Sequence, residues 1–225
     1  MTIEPFPGAT EEDIRVFLLD SVMACAVQQR GIAVFHASAA EIGGRAVLFC
    51  GFSGAGKTAI ALELYDRGLR LLADDSCAVS LDRTGAAVAL PGVPQLGVWH
   101  DGLTAAQKDT AAYRQIRKGL KKYAFPVADR FCRQPVPLAH IFFLKSSNRA
   151  SVEIHTVSGA NKLKEMYQYG RNISLTEGTP AKIEHFKNWA VAGGQAKLAA
   201  CRINTEALPV GETVDCLFEE MARRG

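Results

Sequence analysis

The pattern of apolar and polar positions predicts one helix followed by a β-hairpin in the N-terminal part of the chain. In residues 10–30 the apolar side chains recur every three or four positions, which is the spacing of one helix face. Thr10 is a candidate N-terminal cap, and Gly31 is the predicted end of this helix. Two apolar runs, 32–40 and 45–50, then flank a Gly-Gly pair, which is typical of two antiparallel strands joined by a turn.

Further short apolar runs and amphipathic stretches follow. The apolar runs predict strands at 69–75, 76–81, 86–90, 95–99, 139–144, 152–157 and 197–203. Helices are predicted from 59 to 68 and at 103–122, 160–169, 180–191 and 210–223. We expect run 152–157 to pair with run 139–144. Because several consecutive strands have no helix between them, the sequence predicts an α/β fold with a mixed sheet flanked by helices.

Composition narrows the class of protein. The 225 residues suit a single domain, 1–225, and 48% hydrophobic residues suit a globular core. A net charge of +3 is too small to predict nucleic-acid binding, and no apolar run is long enough to predict a membrane span. The acidic N-terminus is not typical of a signal peptide, and the six dispersed cysteines are typical of reduced thiols, so we expect a cytoplasmic protein.

Basic residues are concentrated in one stretch, from Arg114 to Lys122, within a predicted helix. A solvated helix face is the favoured interpretation of such a stretch. The alternative is a basic surface for an acidic partner segment or for nucleotide phosphates.

One motif dominates the sequence. Residues 51–58, Gly-Phe-Ser-Gly-Ala-Gly-Lys-Thr, form a complete G-x-x-x-x-G-K-[ST] phosphate-binding loop between a predicted strand and a predicted helix. Glycines let backbone N–H groups close around phosphate oxygens, and the helix N-terminus faces the same anion. Lys57 is predicted to reach the β- and γ-phosphates, and the Thr58 hydroxyl to hold Mg²⁺. The predicted nucleotide-binding residues are Gly51, Ser53, Gly54, Ala55, Gly56, Lys57, Thr58 and Ala59.

Two adjacent carboxylates, Asp74 and Asp75, end the strand predicted after the loop helix. A carboxylate at the end of a strand near a phosphate loop commonly holds Mg²⁺. Neighbouring residues in an extended segment point to opposite faces, so one aspartate could bind metal while the other accepts the proton of an attacking hydroxyl. The alternative is that one of them caps a turn.

His36 lies inside the apolar run that precedes the hairpin turn. A histidine in such a run is more often a packed core residue with a hydrogen bond. The predicted hairpin nevertheless places its strand beside the one that feeds the phosphate loop, so the imidazole could lie near the γ-phosphate.

Together, residues 36–39, the loop 51–58 and residues 62–75 resemble the catalytic domain of HPr kinase/phosphorylase in their order and spacing. The loop also resembles that of phosphoenolpyruvate carboxykinase, whose nucleotide-binding fold is similar. The resemblance implies an ATP- and Mg²⁺-dependent enzyme that phosphorylates a serine on a peptide or small protein. It also implies self-association into a homo-oligomer.

The same resemblance implies roles for individual residues. Asp75 corresponds to the general base, His36 to an active-site residue that supports it, and Lys57 to the phosphate ligand. Thr58 and Asp74 correspond to the Mg²⁺ site. An arginine ahead of a late strand contacts phosphate in the family, and Arg130 and Arg133 are the candidates by their order in the sequence, with surface arginines as the alternative.

The chain also departs from the family pattern. Ala59 stands where the family usually has a carboxylate, and no clear match exists for a later metal-binding glutamate near residues 88–92. The tripeptide 170–172, Gly-Arg-Asn, is similar to one linked to dephosphorylation, but it follows a predicted helix and we attribute it to chance. These differences predict a kinase without phosphorylase activity, in a short branch that includes lasso-peptide precursor kinases.

Two other functions stay open at this point. One is a small-molecule kinase of the same fold, because the segment 91–135 that would select the substrate carries no readable pattern. The other is a nucleotide-sensing regulatory module, which Ala59 favours and the pair His36 and Asp75 opposes. No base-reading motif distinguishes ATP from GTP.

Overall fold

The computed structural model describes residues 2–171, 178 and 181–224. The described chain opens with α1 (Glu11–Phe17), a π-helical turn (Leu18–Val22) and α2 (Met23–Gln28), which together we call the opening helix. Thr10 caps it in a capping box, as predicted. The helix predicted over 10–30 is present from Glu11 to Gln28, with a π-helical turn in its middle.

The described residues contain five further α-helices and eleven strands. The helices are α3 (Lys57–Asp66), α4 (His100–Ala105), α5 (Ala160–Gln168), α6 (Ala181–Gln195) and α7 (Val210–Arg224). The strands are β1 (Ala33–Phe35), β2 (Ala37–Ile42), β3 (Arg45–Cys50), β4 (Arg70–Ala73), β5 (Cys77–Leu81), β6 (Ala87–Ala89), β7 (Gln95–Trp99), β8 (Lys122–Pro126), β9 (Val136–Ser146), β10 (Glu153–Thr156) and β11 (Lys197–Ile203).

Nine strands form one mixed sheet in the order β1-β5-β6-β9-β3-β2-β4; in addition, β11 pairs with residues 140–146 of β9, and β10 pairs with β11. Strand β9 runs parallel to β3 and β11, whereas the remaining pairs in this sheet are antiparallel. Strands β7 and β8 form a separate antiparallel pair. The predicted α/β class with a mixed sheet flanked by helices is confirmed.

Apolar residues on the two faces of the sheet enter two different cores. In β9, Ile141 and Phe143 pack in the core that contains Trp189 of α6, whereas Phe142 and Leu144 pack in the core that contains Ile60 of α3. This alternation follows from the two-residue period of a strand. Because both faces of the sheet are covered, successive residues of a strand are apolar, and the strands appear in the sequence as continuous apolar runs.

The apolar run 32–40 contains a break that its sequence pattern does not indicate. Strand β1 ends at Phe35 and β2 begins at Ala37, so His36 lies between two strands. Strand β1 pairs with β5, and β2 forms the predicted hairpin with β3. The break therefore directs one apolar run into two different strand pairs.

Residues 103–122 do not form the predicted helix. Helix α4 ends at Ala105, a 3₁₀ turn covers Thr110–Ala112, and an irregular segment leads to β8. Strand pairing explains the difference, because β8 pairs with β7 along its whole length and the preceding segment folds back onto it. Tertiary contacts thus override the helix propensity of this stretch.

The later elements match their predictions except in one pairing. Strand β10 pairs with β11 and not with β9, because β11 lies between them in the sheet. Helices α5, α6 and α7 are present; residue 180, the predicted start of α6, lies outside the described residues. Within the described part of the chain, no helix has the length and apolar character needed to span a membrane.

Candidate active site

The start of β2 lies between the ends of β3 and β4, and the pairing of these three strands brings the residues of the site together. Strand β2 runs antiparallel to β3 and to β4, with Ala37 opposite Cys50 and Ala39 opposite Ala73. Residues at the start of β2 therefore lie beside the residues that follow β3 and β4. His36, the phosphate loop and the two aspartates are brought together here from separate parts of the sequence.

The phosphate loop, residues 51–56, connects β3 to α3. Gly54 and Gly56 have φ angles of 82° and 87°, in the left-handed region that glycine adopts without strain. A Cβ atom on Gly56 would also lie 3.2 Å from Cγ2 of Thr205 and 3.3 Å from Cδ1 of Ile203. Conformation and space thus both require glycine at this position.

The other loop residues surround the first turn of α3. Gly51 and Ala55 are buried, whereas Ser53 and Ala59 are exposed. Because α3 begins directly at Lys57, backbone N–H groups of its first turn have no partner within the helix. The strand, loop and helix are therefore arranged as a phosphate site requires.

Lys57 is buried at the end of this loop, with only 5% of its surface exposed. Its ammonium donates a hydrogen bond to the carbonyl oxygen of Phe52 at 3.0 Å. Burial lowers the pKa of Lys57, while the charges of Asp75 and Asp74 act in the opposite direction. An ammonium carries three donors, so Lys57 can still bind anionic oxygens beside the loop.

Asp74 follows β4 and accepts hydrogen bonds from three donors. The hydroxyls of Ser38 and Thr58 donate to its Oδ1 at 2.6 Å and 3.1 Å, and the N–H of Gly97 donates to its Oδ2 at 2.9 Å. Burial raises the pKa of Asp74, and the neighbouring charge of Asp75 raises it further. The contact with Thr58 joins the two residues that the sequence analysis assigns to Mg²⁺.

Asp75 has a different environment from its neighbour. Its φ angle is 61°, in the left-handed region, and its Oδ2 accepts a hydrogen bond from the ammonium of Lys122 at 2.7 Å. Burial acts to raise the pKa of Asp75, but the charge and hydrogen bond of Lys122, together with His36 and Lys57, outweigh burial, and the pKa lies below its ordinary value. Strand β8 supplies Lys122, whose ammonium also lies 5.9 Å from the ring centroid of Trp99.

His36 contacts the backbone of Asp75. Its Nδ1 lies 2.9 Å from the Asp75 carbonyl oxygen and 2.8 Å from Nη1 of Arg171. A guanidinium can only donate, so we assign the lone pair to Nδ1 and the hydrogen to Nε2. Burial lowers the pKa of His36, and the positive charge of Lys57 lowers it further.

Arg171 is a site residue that the sequence analysis missed, because it attributes the tripeptide 170–172 to chance. The Nη1 atom of Arg171 donates to the Asp75 carbonyl oxygen at 2.9 Å as well as to His36, and its Nη2 donates to Asp20 in the opening helix. Its backbone N–H donates to the Val34 carbonyl oxygen of β1 at 2.8 Å. The family tripeptide was the available signal, although Asn172 lies outside the described residues.

Arg130 and Arg133 do not join this group. Arg130 donates to the carbonyl oxygen of Tyr65 at 2.8 Å and lies over its ring, at the opposite end of α3 from Lys57. Lys57 and Tyr65 are separated by about 12 Å along the helix axis. Arg133 is exposed before β9. Lys122 and Arg171 are the cations that the fold brings to Asp75 and His36.

Two cavities adjoin the site on different sides. One, of about 430 Å³, is lined by the two aspartates, Lys122, the opening helix and residues 90–97 and 114–120. The other, of about 220 Å³, is lined by Phe52, Ser53 and Ala55 of the loop together with residues 144–146 and 168–169. The two cavities give the site separate access from the loop side and from the opening-helix side.

The arrangement fits a bound Mg²⁺ ion in the chemistry of its donors. Mg²⁺ prefers oxygen ligands and is commonly held by one or two protein oxygens together with phosphates and water. The Thr58 hydroxyl and the Asp74 carboxylate provide two such oxygens beside the phosphate loop. Among the described residues, no group of three or more histidine, cysteine, aspartate and glutamate side chains could hold a metal ion alone. Phosphate oxygens would have to complete such a site.

The chain is similar to known proteins over part of its sequence and, distantly, in its structure. No family model matches the chain. Over 56 residues, or 25% of its length, the chain is 45% identical to an HPr kinase/phosphorylase from Prosthecochloris aestuarii, and this stretch covers 16% of that protein. The chain is also similar to the HPr(Ser) kinase/phosphatase from Coxiella burnetii, with a TM-score of 0.44, 13% identity, and coverage of 85% of this chain and 99% of that chain.

Proposed function

This chain is related to the HPr kinase/phosphorylase family through 56 matched residues, and from that premise we propose that it is an ATP- and Mg²⁺-dependent kinase. Its proposed substrate is a serine hydroxyl on a peptide or small protein. The proposal rests on one observation. Side chains from three separate parts of the sequence lie together at the start of β2: His36, then Lys57 and Thr58, and then Asp74 and Asp75.

The loop and Lys57 would bind the triphosphate. Backbone N–H groups at the start of α3 and the Lys57 ammonium are donors fixed before the reaction, so they need no reorganisation as charge develops on the transferring group. The Thr58 and Asp74 oxygens would hold Mg²⁺, which neutralises charge on the phosphates when bound. The 220 Å³ cavity beside Phe52 is the space next to the loop in which the nucleoside would lie.

Asp75 would accept the proton of the serine hydroxyl. Lys122 keeps the pKa of Asp75 low, so this carboxylate is ionised at neutral pH and ready to accept a hydrogen bond from the hydroxyl. Its main role would therefore be to orient the nucleophile and to take the proton as the phosphoryl group transfers. Arg171, which donates to the Asp75 carbonyl oxygen and to Nδ1 of His36, would hold the Asp75 backbone and the imidazole in position.

Two candidate activities differ in whether the enzyme also removes the phosphoryl group from the serine. Ala59 in place of the family carboxylate supports a kinase that lacks phosphorylase activity, as in the lasso-peptide precursor kinases that the sequence resembles. A bifunctional kinase/phosphorylase is the second candidate, because Arg171 of the tripeptide linked to dephosphorylation contacts His36. Incubation of a serine-phosphorylated peptide with inorganic phosphate and without nucleotide distinguishes the two, because a phosphorylase transfers the phosphoryl group to phosphate and forms pyrophosphate.

The experiment that tests the kinase uses Asp75→Asn and Lys57→Ala with labelled ATP and serine peptides. We expect Asp75→Asn to bind nucleotide normally but to lose roughly 10²–10⁴-fold in transfer, because general-base catalysis contributes that much. Lys57→Ala should lose both nucleotide affinity and transfer. Asp101→Asn, which changes an exposed carboxylate outside the site, serves as the control. Normal turnover in Asp75→Asn would refute the base assignment, and a labelled small molecule in place of a labelled peptide would favour the small-molecule kinase.

A further inference from the structure

The cavity of about 430 Å³ lies directly against the two aspartates of the site. Asp74, Asp75, Ser76 and Lys122 line it, together with residues of the opening helix. A cavity of this size is in the range of ligand-binding sites in proteins. It is much larger than a phosphoryl-accepting hydroxyl requires, so its further lining should bind whatever carries that hydroxyl.

Much of this further lining is apolar and accessible. Leu19 and Met23 of the opening helix and Val93 of the facing loop are 42%, 43% and 38% exposed, and all three line the cavity. Ile116 and Leu120 line it from the segment before β8. Large apolar side chains that are exposed together in a concavity commonly mark a binding surface. Their partial exposure also means that the cavity is open to a chain entering from solvent.

The phosphate loop lies outside this cavity. None of residues 51–58, all of them described, lines it, whereas Phe52, Ser53 and Ala55 line the smaller cavity. Phosphoryl transfer requires the attacking and leaving oxygens to lie roughly in line on opposite sides of the phosphorus. A nucleotide on the loop side therefore leaves the larger cavity to the acceptor.

We propose that this cavity binds a large apolar side chain adjacent to the acceptor serine of a peptide substrate. The proposal rests on the proposed kinase function and adds its sequence specificity. Leu19, Met23 and Val93 would contact an aromatic or branched aliphatic residue, while Asp75 contacts the serine hydroxyl. A hydrophobic contact of this kind discriminates between side chains by roughly 10-fold or more in kcat/KM.

The test compares peptides with a single serine flanked on both sides by Phe, Leu, Ala or Asp. For the wild-type protein we expect kcat/KM for the Phe or Leu peptides to exceed that for the Ala and Asp peptides by roughly 10-fold. Leu19→Asn should remove most of this preference without changing nucleotide affinity. Val93→Asn, on the facing loop, should do the same and gives a second variant if the first fails to fold.

Phe17→Asn is the matched control. Phe17 lies in the opening helix and is 58% exposed, but it does not line the cavity, so its loss should leave the preference intact. Equal kcat/KM for all four peptides would overturn the cavity proposal and leave the kinase standing. Transfer to none of the peptides by the wild-type protein would overturn both, and transfer only to a small alcohol would exclude a peptide as the occupant.

Discussion

Two neighbouring aspartates illustrate how this site works at the scale of single residues. Asp74 accepts from three donors and burial raises its pKa, whereas Asp75 pairs with Lys122 and its pKa is lowered. Opposite shifts in adjacent carboxyl groups indicate that the two have different tasks. The sequence predicts this division from strand alternation, but β4 ends at Ala73, so both aspartates follow the strand, and Asp75 has a left-handed backbone.

The residue-scale prediction concerns Arg171. Arg171→Ala should lower kcat roughly 10- to 100-fold while nucleotide affinity stays nearly unchanged, because hydrogen bonds from a charged donor to His36 and Asp75 are lost. Arg171→Lys should recover part of kcat, since lysine keeps the charge but lacks the planar fork. Steady-state kinetics and nucleotide titration measure both quantities.

A second readout separates positioning from a general structural defect. The charge of Arg171 helps to lower the pKa of His36, so its removal should raise that pKa in an NMR titration. Arg149→Ala, which removes an exposed arginine paired with Glu153, is the control. A wild-type kcat together with an unchanged His36 pKa in Arg171→Ala would show that Arg171 has no role in the site.

At the scale of elements, the sequence predicts those parts whose pattern is local. The phosphate loop, the β2–β3 hairpin, β11 and α7 each carry a pattern that is complete within a few residues, and all are present. The helix predicted over 103–122 is wrong because the conformation of this segment depends on the pairing of β8 with β7. Lys122 was missed as a site residue because no local pattern connects it with Asp75, whereas Arg171 belongs to the family tripeptide and was missed because that tripeptide was attributed to chance.

The element-scale prediction compares two glycines with similar backbone angles. Gly56 and Gly85 have φ angles of 87° and 82°, but an added Cβ meets Thr205 and Ile203 only at Gly56. Gly85→Ala should destabilise the protein by about 1–2 kcal/mol through backbone strain and leave nucleotide binding intact. Gly56→Ala should be destabilised at least as much and should also lose nucleotide affinity, because the loop has to shift.

Urea unfolding and nucleotide titration on both variants test this comparison. Gly85 lies in the turn between β5 and β6, so Gly85→Ala reports the conformational strain without the crowding. If Gly56→Ala bound nucleotide as tightly as Gly85→Ala does, the loop would not need its observed conformation.

At the scale of the whole molecule, α6 fixes the opening helix that forms one wall of the larger cavity. His185 Nε2 donates to the Gln28 carbonyl oxygen at 2.9 Å, and the Asn188 amide donates to the Gly31 carbonyl oxygen at 2.6 Å. Gln28 in turn donates to the Arg171 carbonyl oxygen. These contacts join the end of the opening helix to the site, and only the folded chain brings them together.

The last prediction follows from the burial of His185, which is 1% exposed. Burial lowers the pKa of His185 below its ordinary value of 6.5, so the unfolded chain binds its proton more tightly than the folded protein does. The neutral histidine therefore contributes stability that is fully present above pH 6.5 and is lost as the pH falls towards its folded-state pKa. Within that window the free energy of unfolding should fall by up to about 1.4 kcal/mol per pH unit from this group.

Urea unfolding between pH 5 and pH 8 measures the effect, with His185→Gln as the test variant. Gln can still donate to the Gln28 carbonyl oxygen but does not titrate, so the stability of this variant should depend less steeply on pH than that of the wild-type protein. His155→Gln, which removes an exposed histidine of β10, is the control. Equal pH dependence in wild type and His185→Gln would mean that His185 takes up its proton equally well in the folded and unfolded chain. The contact between α6 and the opening helix would then persist with a charged imidazole, and mild acid would leave that wall of the cavity in place.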